Sequence, residues 1–172
     1  MVGAIDVIWE MSQDTSFSAL LASGRFTTNA ARDWTVKIDA TGLKGDEPYY
    51  YRFRVGDQTS PIGLTKTLPR ESVKSARFAV VSCANWEHGF FNAYDHIARQ
   101  DHFDALIHLG DYYYEYGAGT YDSGSDIKIP RRHVPEHEII SLEDYRLRHG
   151  QYRSDPGLQG CLLYTSPSPR DS

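Results

Sequence analysis

The spacing of apolar residues changes once along this chain, close to residue 70, and this change constrains the fold more than any other feature. Before it, residues 5–10, 34–39 and 49–55 alternate between apolar and mainly polar side chains, which is the period of half-buried β-strands. The intervals between them are rich in Gly, Ser and acidic residues, which favour turns. The first part of the chain is therefore predicted to be an antiparallel β-sandwich, or part of one.

The second part of the chain contains two short, largely apolar runs, residues 78–81 and 105–109, which suit strands that are buried on both faces. Between them, apolar side chains fall on one face of a helix: Phe90, Phe91, Tyr94, Ile97 and Ala98. A strand, a helix and a strand joined by short links predict a βαβ unit, in which the two strands are parallel.

Leu43 and Tyr49 have the spacing of the tyrosine corner of fibronectin type III sandwiches, in which a phenol hydroxyl ties a strand to the preceding loop. Gly45 stands where a proline is usual between them. The tyrosine cluster at residues 49–51 is interpreted as core and corner rather than as a ligand site. A complete sandwich has about seven strands. Because this part of the sequence indicates fewer, we expect the natural N-terminus to lie further upstream.

Together these patterns predict an α+β chain with two domains. Residues 1–69 are expected to form a partial fibronectin III-like antiparallel β-sandwich, and residues 70–76 a polar linker. Residues 77–160 are expected to form the first part of an α/β domain.

Later features of the α/β part also carry structural signals. The Gly/Ser-rich residues 117–126 are predicted to form a flexible loop. Ser141 and Asp144 resemble a capping box, which marks the start of a helix. The apolar stripe of this helix is predicted to comprise Leu142, Tyr145, His149 and Tyr152. Residues 155–157, Asp-Pro-Gly, are predicted to end it.

Residues 161–171, CLLYTSPSPRD, resemble the translation of a transposase adapter used in sequencing libraries. We therefore predict that residues 161–172 are an artefactual, disordered tail, and that the natural protein continues beyond Gly160. The alternative is a natural Ser/Pro-rich disordered tail.

The composition argues against some classes of function. The formal net charge is −5 and the 18 Lys and Arg residues form no basic block, so no nucleic-acid partner is expected. No apolar run approaches the roughly 18 residues of a membrane span, and no targeting signal is recognisable. Cys83 and Cys161 lie in different sequence contexts and are not expected to form a disulfide.

Polar residues follow both strands of the predicted βαβ unit. Cys83 lies just past the first strand and Asp111 just past the second, where ligands bind in open α/β sheets. Tyr114 follows Asp111 closely enough for its phenol to reach an ion that the carboxylate holds. A thiolate, a carboxylate and a phenolate carry up to three negative charges, which suits a strongly Lewis-acidic cation, particularly a trivalent one such as iron. The sequence therefore predicts a metal site formed by Cys83, Asp111 and Tyr114.

Each of these residues also has a purely structural interpretation. Cys83 alone could be an inert buried thiol, Asp111 could form an Asx turn, and Tyr114 could pack against Tyr116. The metal interpretation is favoured because the residues occur together at the ends of both strands of one βαβ unit.

Other polar side chains are assigned structural roles. His108 lies within the second strand and is predicted to be a core residue whose hydrogen bonds are satisfied. Three further histidines have no recognisable ligand spacing: His133, His137 and His149. Four arginines that could attract phosphate are interpreted as parts of a solvated surface: Arg131, Arg132, Arg146 and Arg153.

Residues 78–116, with SCAN after the first strand and GDYYY after the second, resemble the start of the catalytic domain of the PhoD-like alkaline phosphatase and phosphodiesterase family. Residues 36–69 resemble the fibronectin-like N-terminal domain of that family. Residues 133–159 resemble the helical stretch that leads to its next metal motif. The resemblance implies that residues 77–160 are the first part of an α/β metallophosphatase domain.

The same resemblance implies roles for individual residues. Cys83 and Tyr114 would be iron ligands, and Asp111 would bridge iron to a neighbouring calcium. Asn85 stands where related metallophosphoesterases carry a histidine, and is a candidate for a hydrogen bond to the metal ligands or for a substrate contact.

The activity that the resemblance implies is metal-dependent hydrolysis of phosphate monoesters or diesters, in a secreted, periplasmic or cell-surface protein. The later metal motifs of the family are missing from this sequence, so the fragment itself is predicted to be inactive. Two alternatives stay open. One is a purple acid phosphatase or nucleotidase-like hydrolase, which shares G-D-x-x-Y but has Asp in place of Cys83. The other is a non-catalytic surface binding module. No oligomeric state is predicted.

Overall fold

A computed structural model describes residues 3–100, 103–120 and 129–164. The chain divides into two compact units, one reaching Ser75 and the other spanning Ala76–Leu162. This division falls within residues 70–76, the segment predicted to be a linker.

The first unit contains an antiparallel sheet of five strands. The strands are β1 (Ala4–Ser12), β2 (Leu20–Asn29), β3 (Pro48–Val55), β4 (Gln58–Thr59) and β5 (Gly63–Lys66). Their order is β2-β1-β3-β4, and β5 also pairs with β3. Within the described part of this unit the strands form one sheet, so the second layer of the predicted sandwich is not seen there.

The tyrosine corner predicted from Leu43 and Tyr49 is present. The Tyr49 hydroxyl accepts a hydrogen bond from the Lys44 amide at 2.9 Å, and donates to the Lys44 carbonyl oxygen at 3.3 Å. The Tyr49 side chain is almost completely buried. The phenol therefore ties the start of β3 to the loop that precedes it, as the sequence predicts.

The strand predicted at residues 34–39 is wrong, because the described part of this segment joins no β-ladder. A short 3-10 helix, Ala30–Arg32, leads into two consecutive left-handed residues, Asp33 and Trp34, with φ values of 51° and 56°. The Trp34 amide then donates to the Asn29 carbonyl oxygen at 3.1 Å. The tight turn engages a backbone donor that a strand would have used for pairing.

The second unit contains the predicted βαβ arrangement. Strand β6 (Phe78–Val81) is parallel to β7 (Ala105–His108), and helix α1 (Asn92–Ala98) lies between them in sequence. The α+β class predicted for the chain is therefore confirmed. Helices α2 (Leu142–Arg153) and α3 (Pro156–Tyr164) follow.

Burial of both faces of this sheet, as predicted, is wrong for the described residues. Val80 is 56% exposed and Ile107, its partner on the neighbouring strand, is 41% exposed. The opposite face, which carries Val81 and Leu106, packs against the core of the unit. The buried members of that core come from α1, α2, α3 and the adjoining loops: Ala84, Phe91, Tyr94, Tyr152, Leu158 and Cys161.

Helix α2 begins with the predicted capping box. The Ser141 hydroxyl accepts from the Asp144 amide at 3.2 Å, and the Asp144 carboxylate accepts from the Ser141 amide at 3.0 Å. The predicted apolar stripe is wrong at Leu142, which is 67% exposed, and at His149, which is also exposed, whereas Arg148 on the same helix is fully buried. The burial of a charged side chain there makes α2 part of the support for the loops around it.

Helix α2 ends at Arg153, just before residues 155–157, as the sequence predicts, and these residues also begin α3. The Asp155 carboxylate accepts from the amides of Gly157 and Leu158, at 3.0 and 3.1 Å, and Pro156 is the first residue of α3. An acidic cap followed by proline is a helix start, so the same residues that follow α2 also begin α3.

The disorder predicted for residues 161–172 is wrong at its beginning. Residues 161–164 complete α3, and Cys161 is fully buried in the core of the unit. Residues 165–172 lie outside the described residues, as do residues 121–126 of the predicted flexible loop. Cys83 and Cys161 are both free thiols. In the described ranges, no helix is long and apolar enough to cross a bilayer.

Candidate active site

The parallel pairing of β6 and β7 brings two loops together at the carboxyl ends of the strands. The Leu109 amide donates to the Val81 carbonyl oxygen at 2.9 Å, which extends the ladder past β7. Beyond it, the Ala84 amide donates to the Asp111 carbonyl oxygen at 2.9 Å. The Cys83 and Asp111 loops are therefore fixed to each other through their backbones.

Both loops make a sharp turn at a candidate ligand. Cys83 has a φ of 57° and Asp111 a φ of 52°. In the part of the second unit that the structure describes, these are the two non-glycine residues with positive φ. Such conformations are costly for residues with a Cβ atom, and they occur often at functional sites.

The three predicted ligands converge at one carboxylate oxygen. The Cys83 Sγ lies 3.5 Å from Asp111 Oδ2, and the Tyr114 hydroxyl donates to the same oxygen at 3.3 Å. Burial raises the pKa of the Tyr114 phenol, and the adjacent thiol and carboxylate raise it further. Without a cation the phenol therefore stays protonated, and it hydrogen-bonds to Asp111.

The structural alternatives for these residues have different outcomes. Cys83 is exposed, so it is not an inert buried thiol. The ring of Tyr114 stacks on Tyr116 with centroids 6.3 Å apart, so the packing contact between these two tyrosines is present. That contact leaves the Tyr114 hydroxyl directed at Asp111.

An open cavity of about 360 Å³ lies beside these residues. Cys83, Asn85, Phe90, Tyr94 and Tyr114 are among the side chains that line it. The side-chain Oδ1 of Asn85 accepts from the Glu87 amide at 3.0 Å, which closes an Asx turn after the Cys83 loop. The side-chain Nδ2 of Asn85 is then the group that can donate to a ligand.

Both ring nitrogens of His108 have hydrogen-bond partners, as the sequence predicts for a histidine of the core. Its Nε2 lies 2.8 Å from the hydroxyl of Tyr94, which is buried, and its Nδ1 accepts from the Gly110 amide at 3.2 Å. Burial lowers the pKa of the His108 imidazole. The ring therefore belongs to the support of the site rather than to the set of converging donors.

The solvated role predicted for Arg131 is wrong. Its guanidinium lies 3.5 Å from the centre of the Trp86 ring, and it pairs with Asp155 at 3.1 Å. Only 9% of the Arg131 side chain is exposed. Stacking and ion pairing therefore make this arginine part of the packing beneath the Asn85 turn.

Arg148 is the supporting residue that the sequence interpretation missed. It is completely buried, and its guanidinium donates to the carbonyl oxygens of Val134, Tyr114 and Pro135. Its position between Tyr145 and Tyr152 at helical spacing was the one sequence signal that it faces the core. The arginine holds the backbone of a candidate ligand in place.

His133 is also buried, with a relative exposure of 2%. Among the described residues, neither of its ring nitrogens has a hydrogen-bond partner. Burial lowers the pKa of His133, and the positive charge of Arg148 lowers it further. The ring is therefore neutral near pH 7, and its Nδ1 lies 4.0 Å from a Glu87 carboxylate oxygen.

The donor set fits a cation in chemical terms. Thiol, carboxyl and phenol groups lose protons on binding a metal and can supply three negative charges. No group of three His, Cys, Asp or Glu side chains with the placement of a metal site occurs among the described residues. The candidate site therefore depends on the phenol of Tyr114 as its third donor.

The chain resembles known phosphatases along almost all of its length. The family model of the PhoD-like phosphatase matches residues 78–165, and the model of the PhoD-like phosphatase N-terminal domain matches residues 2–69. Alkaline phosphatase D of Bacillus subtilis (strain 168) is 41% identical over 160 residues, which are 92% of this chain and 27% of that protein.

A solved structure described as the structure of PhoD matches with a TM-score of 0.86 and 40% identity. That match covers 96% of this chain and 31% of the solved chain, so the sequence spans less than a third of either relative. The resemblance drawn from the SCAN and GDYYY segments is confirmed. This chain belongs to the PhoD-like phosphatase family.

Proposed function

We propose that the protein that contains this chain hydrolyses phosphate esters with metal ions held in part by Cys83, Asp111 and Tyr114. The observation that carries the proposal is the convergence of these three side chains on Asp111 Oδ2, at the carboxyl ends of two parallel strands. Membership of a phosphatase family supports the type of reaction.

The donor chemistry favours iron at this site. Cys83 and Tyr114 would hold ferric iron, because a thiolate and a phenolate suit a strongly Lewis-acidic ion. Asp111 would bridge that ion to a calcium, as the family resemblance implies, since a carboxylate has two oxygens and calcium prefers oxygen ligands. The bound cations would polarise a phosphoryl group and lower the pKa of water.

The remaining residues of the site would bind and orient the substrate. The cavity beside Cys83 offers space for a phosphate ester, and the Asn85 amide can donate to a phosphoryl oxygen. The Cys83 and Asp111 turns are held together by backbone hydrogen bonds, so the donors are positioned before substrate arrives.

The first experiment measures iron in the purified chain after incubation with ferric nitrilotriacetate. We expect bound iron and a visible phenolate-to-iron absorption band, which Tyr114→Phe abolishes. Tyr116→Phe, in the adjacent stacked ring, is the matched control and retains the band. A Tyr114→Phe variant with unchanged iron content and absorption would remove Tyr114 from the ligand set. A chain that binds no iron would contradict the assignment of Cys83, Asp111 and Tyr114 as an iron site.

The second experiment measures hydrolysis in a chimera. Residues 3–160 of this chain replace the matching part of Bacillus subtilis alkaline phosphatase D, to which this chain is similar. We expect the chimera to release p-nitrophenol from phosphate esters, and the variant Asp111→Ala to lose this activity. The chain by itself is expected to be inactive. Metal-dependent release by the chain alone, lost in Asp111→Ala, would contradict that expectation.

A further inference from the structure

His108 connects the buried Tyr94 of helix α1 with the turn that carries Asp111. It is the last residue of β7, and its Nδ1 accepts a hydrogen bond from the Gly110 amide at 3.2 Å. On its other side, Nε2 lies 2.8 Å from the hydroxyl of Tyr94. The imidazole is thus bonded at both nitrogens.

These two bonds determine the tautomer. A backbone amide can only donate, so the Nδ1 that accepts from Gly110 carries no proton. The proton of the neutral ring is therefore on Nε2, which donates to the Tyr94 hydroxyl oxygen. Burial disfavours the charged imidazole, and this keeps Nδ1 available as an acceptor.

The residue that donates this bond, Gly110, directly precedes Asp111 in the turn. Gly110 has a φ of 120°, which is open to glycine and closed to most other residues. Its amide is held by His108, and its carbonyl oxygen accepts from the Cys83 amide at 3.3 Å. The peptide planes on both sides of Gly110 are therefore fixed, one by His108 and one by the Cys83 loop.

We propose that His108 is a positioning residue, whose neutral imidazole fixes Gly110 so that the Asp111 carboxylate faces Cys83 and Tyr114 in the orientation that binds a metal ion. This inference rests on the proposed metal site. The alternative is that His108 only packs the core, since its ring also stacks on Tyr94 and contacts Tyr112 edge to face.

Two variants separate positioning from packing. Asn at position 108 can accept from the amide two residues later, as in an Asx turn, whereas the longer Gln disfavours that geometry. Both His108→Asn and His108→Gln lose the ring and its aromatic contacts. Tyr94→Phe removes the hydroxyl partner and leaves the bond from Gly110 to Nδ1 intact.

The readouts are hydrogen exchange at the Gly110 amide by NMR, and the affinity of the 172-residue chain for iron added as ferric nitrilotriacetate. In His108→Gln we expect faster exchange at Gly110 and iron binding weakened by about 10- to 100-fold, the usual effect of losing a group that orients metal ligands. His108→Asn and Tyr94→Phe should retain both properties within about threefold.

Equal losses in His108→Asn and His108→Gln would assign His108 to packing and overturn the proposal. Unchanged iron affinity in His108→Gln, with faster exchange at Gly110, would also overturn it. If the unmodified chain binds no iron, the proposed metal site fails. Protection of Gly110 in the Asn variant but not in the Gln variant would then still identify the hydrogen bond that fixes the Asp111 turn.

Discussion

The buried guanidinium of Arg148 donates a hydrogen bond to the main-chain carbonyl oxygen of Tyr114, whose phenol forms part of the candidate site. The same guanidinium donates to the carbonyl oxygens of Val134 at 3.1 Å and Pro135 at 2.8 Å. A positive charge on α2 is thus stabilised by carbonyl dipoles from two separate loops. The loop after β7 therefore depends on a helix that lies far from it in sequence.

Removal of the Arg148 guanidinium should destabilise the second unit. Arg148→Met removes the donor to the carbonyl oxygens of Tyr114, Val134 and Pro135, and we expect a loss of about 3 kcal/mol in the free energy of unfolding. Arg148→Lys should recover only part of it, because an ammonium lacks the planar fork of donors. Urea denaturation measures the loss, with Arg132→Met at an exposed neighbouring site as the control. Equal stability of the two methionine variants would contradict the role assigned to Arg148.

The stability of the second unit should fall as the pH drops below neutral. Burial lowers the pKa of both His133 and His108 below the ordinary value of about 6.5. Below that pH the unfolded chain takes up protons that the folded chain refuses. The stability that depends on these neutral histidines is therefore fully present above about pH 6.5. It is lost as the pH falls from there towards the lower histidine pKa values of the folded state.

His133→Gln tests this pH dependence. The variant should flatten the slope of unfolding free energy against pH between 7 and 5, where each such histidine contributes up to about 1.4 kcal/mol per pH unit. His96→Gln, at an exposed position of α1, is the control. Urea midpoints at several pH values give the slopes. The same slope in the His133 variant and in the unmodified chain would show that His133 takes up its proton without cost.

Loss of the Tyr49 hydroxyl should loosen the start of β3. Tyr49→Phe keeps the ring but removes both bonds to Lys44, and we expect a cost of about 1–2 kcal/mol. Hydrogen exchange of peptides from residues 43–55 localises the effect. Tyr50→Phe, at a half-buried neighbour, is the control. Similar exchange in both variants would mean that the corner contributes no stability to this sheet.

The capping box of α2 should contribute through the Ser141 hydroxyl. Ser141→Ala removes the bond from the Asp144 amide, and should lower the free energy of unfolding by about 1 kcal/mol. Ser141→Asn should restore most of the loss, because asparagine is an equally good N-cap. Urea denaturation compares the three proteins. An alanine variant as stable as the unmodified chain would show that Asp144 alone is sufficient to cap the helix.

Short-range signals in the sequence predicted the parts of the structure that depend on local chemistry. The tyrosine corner at Tyr49 and the capping box at Ser141 each rest on residues a few positions apart, and both formed as predicted. The meeting of Cys83 with Asp111 was predictable because the parallel pairing of a βαβ unit places both strand ends at one edge.

Features that depend on distant partners were not predictable in this way. The strand expected at residues 34–39 gave way to the left-handed turn at Asp33 and Trp34, which alternating hydrophobicity does not reveal. Arg148 is buried because carbonyl groups from other loops surround it, and its helical spacing from Tyr145 and Tyr152 does not identify those partners. The burial of Arg131 was not predictable for the same reason. Its partners Trp86 and Asp155 lie far from it in the sequence, one before it and one after it.

Because the backbone is left-handed at Cys83 and Asp111, a substitution that favours thermal stability there would remove a side chain proposed to bind metal. Glycine at either position would relieve about 1 kcal/mol of backbone strain and would delete a candidate metal donor. A laboratory selection for heat resistance alone would therefore accept glycine at these two sites and remove both proposed metal donors with it. Such a selection has to be paired with a screen for the proposed metal binding if the two residues are to be retained.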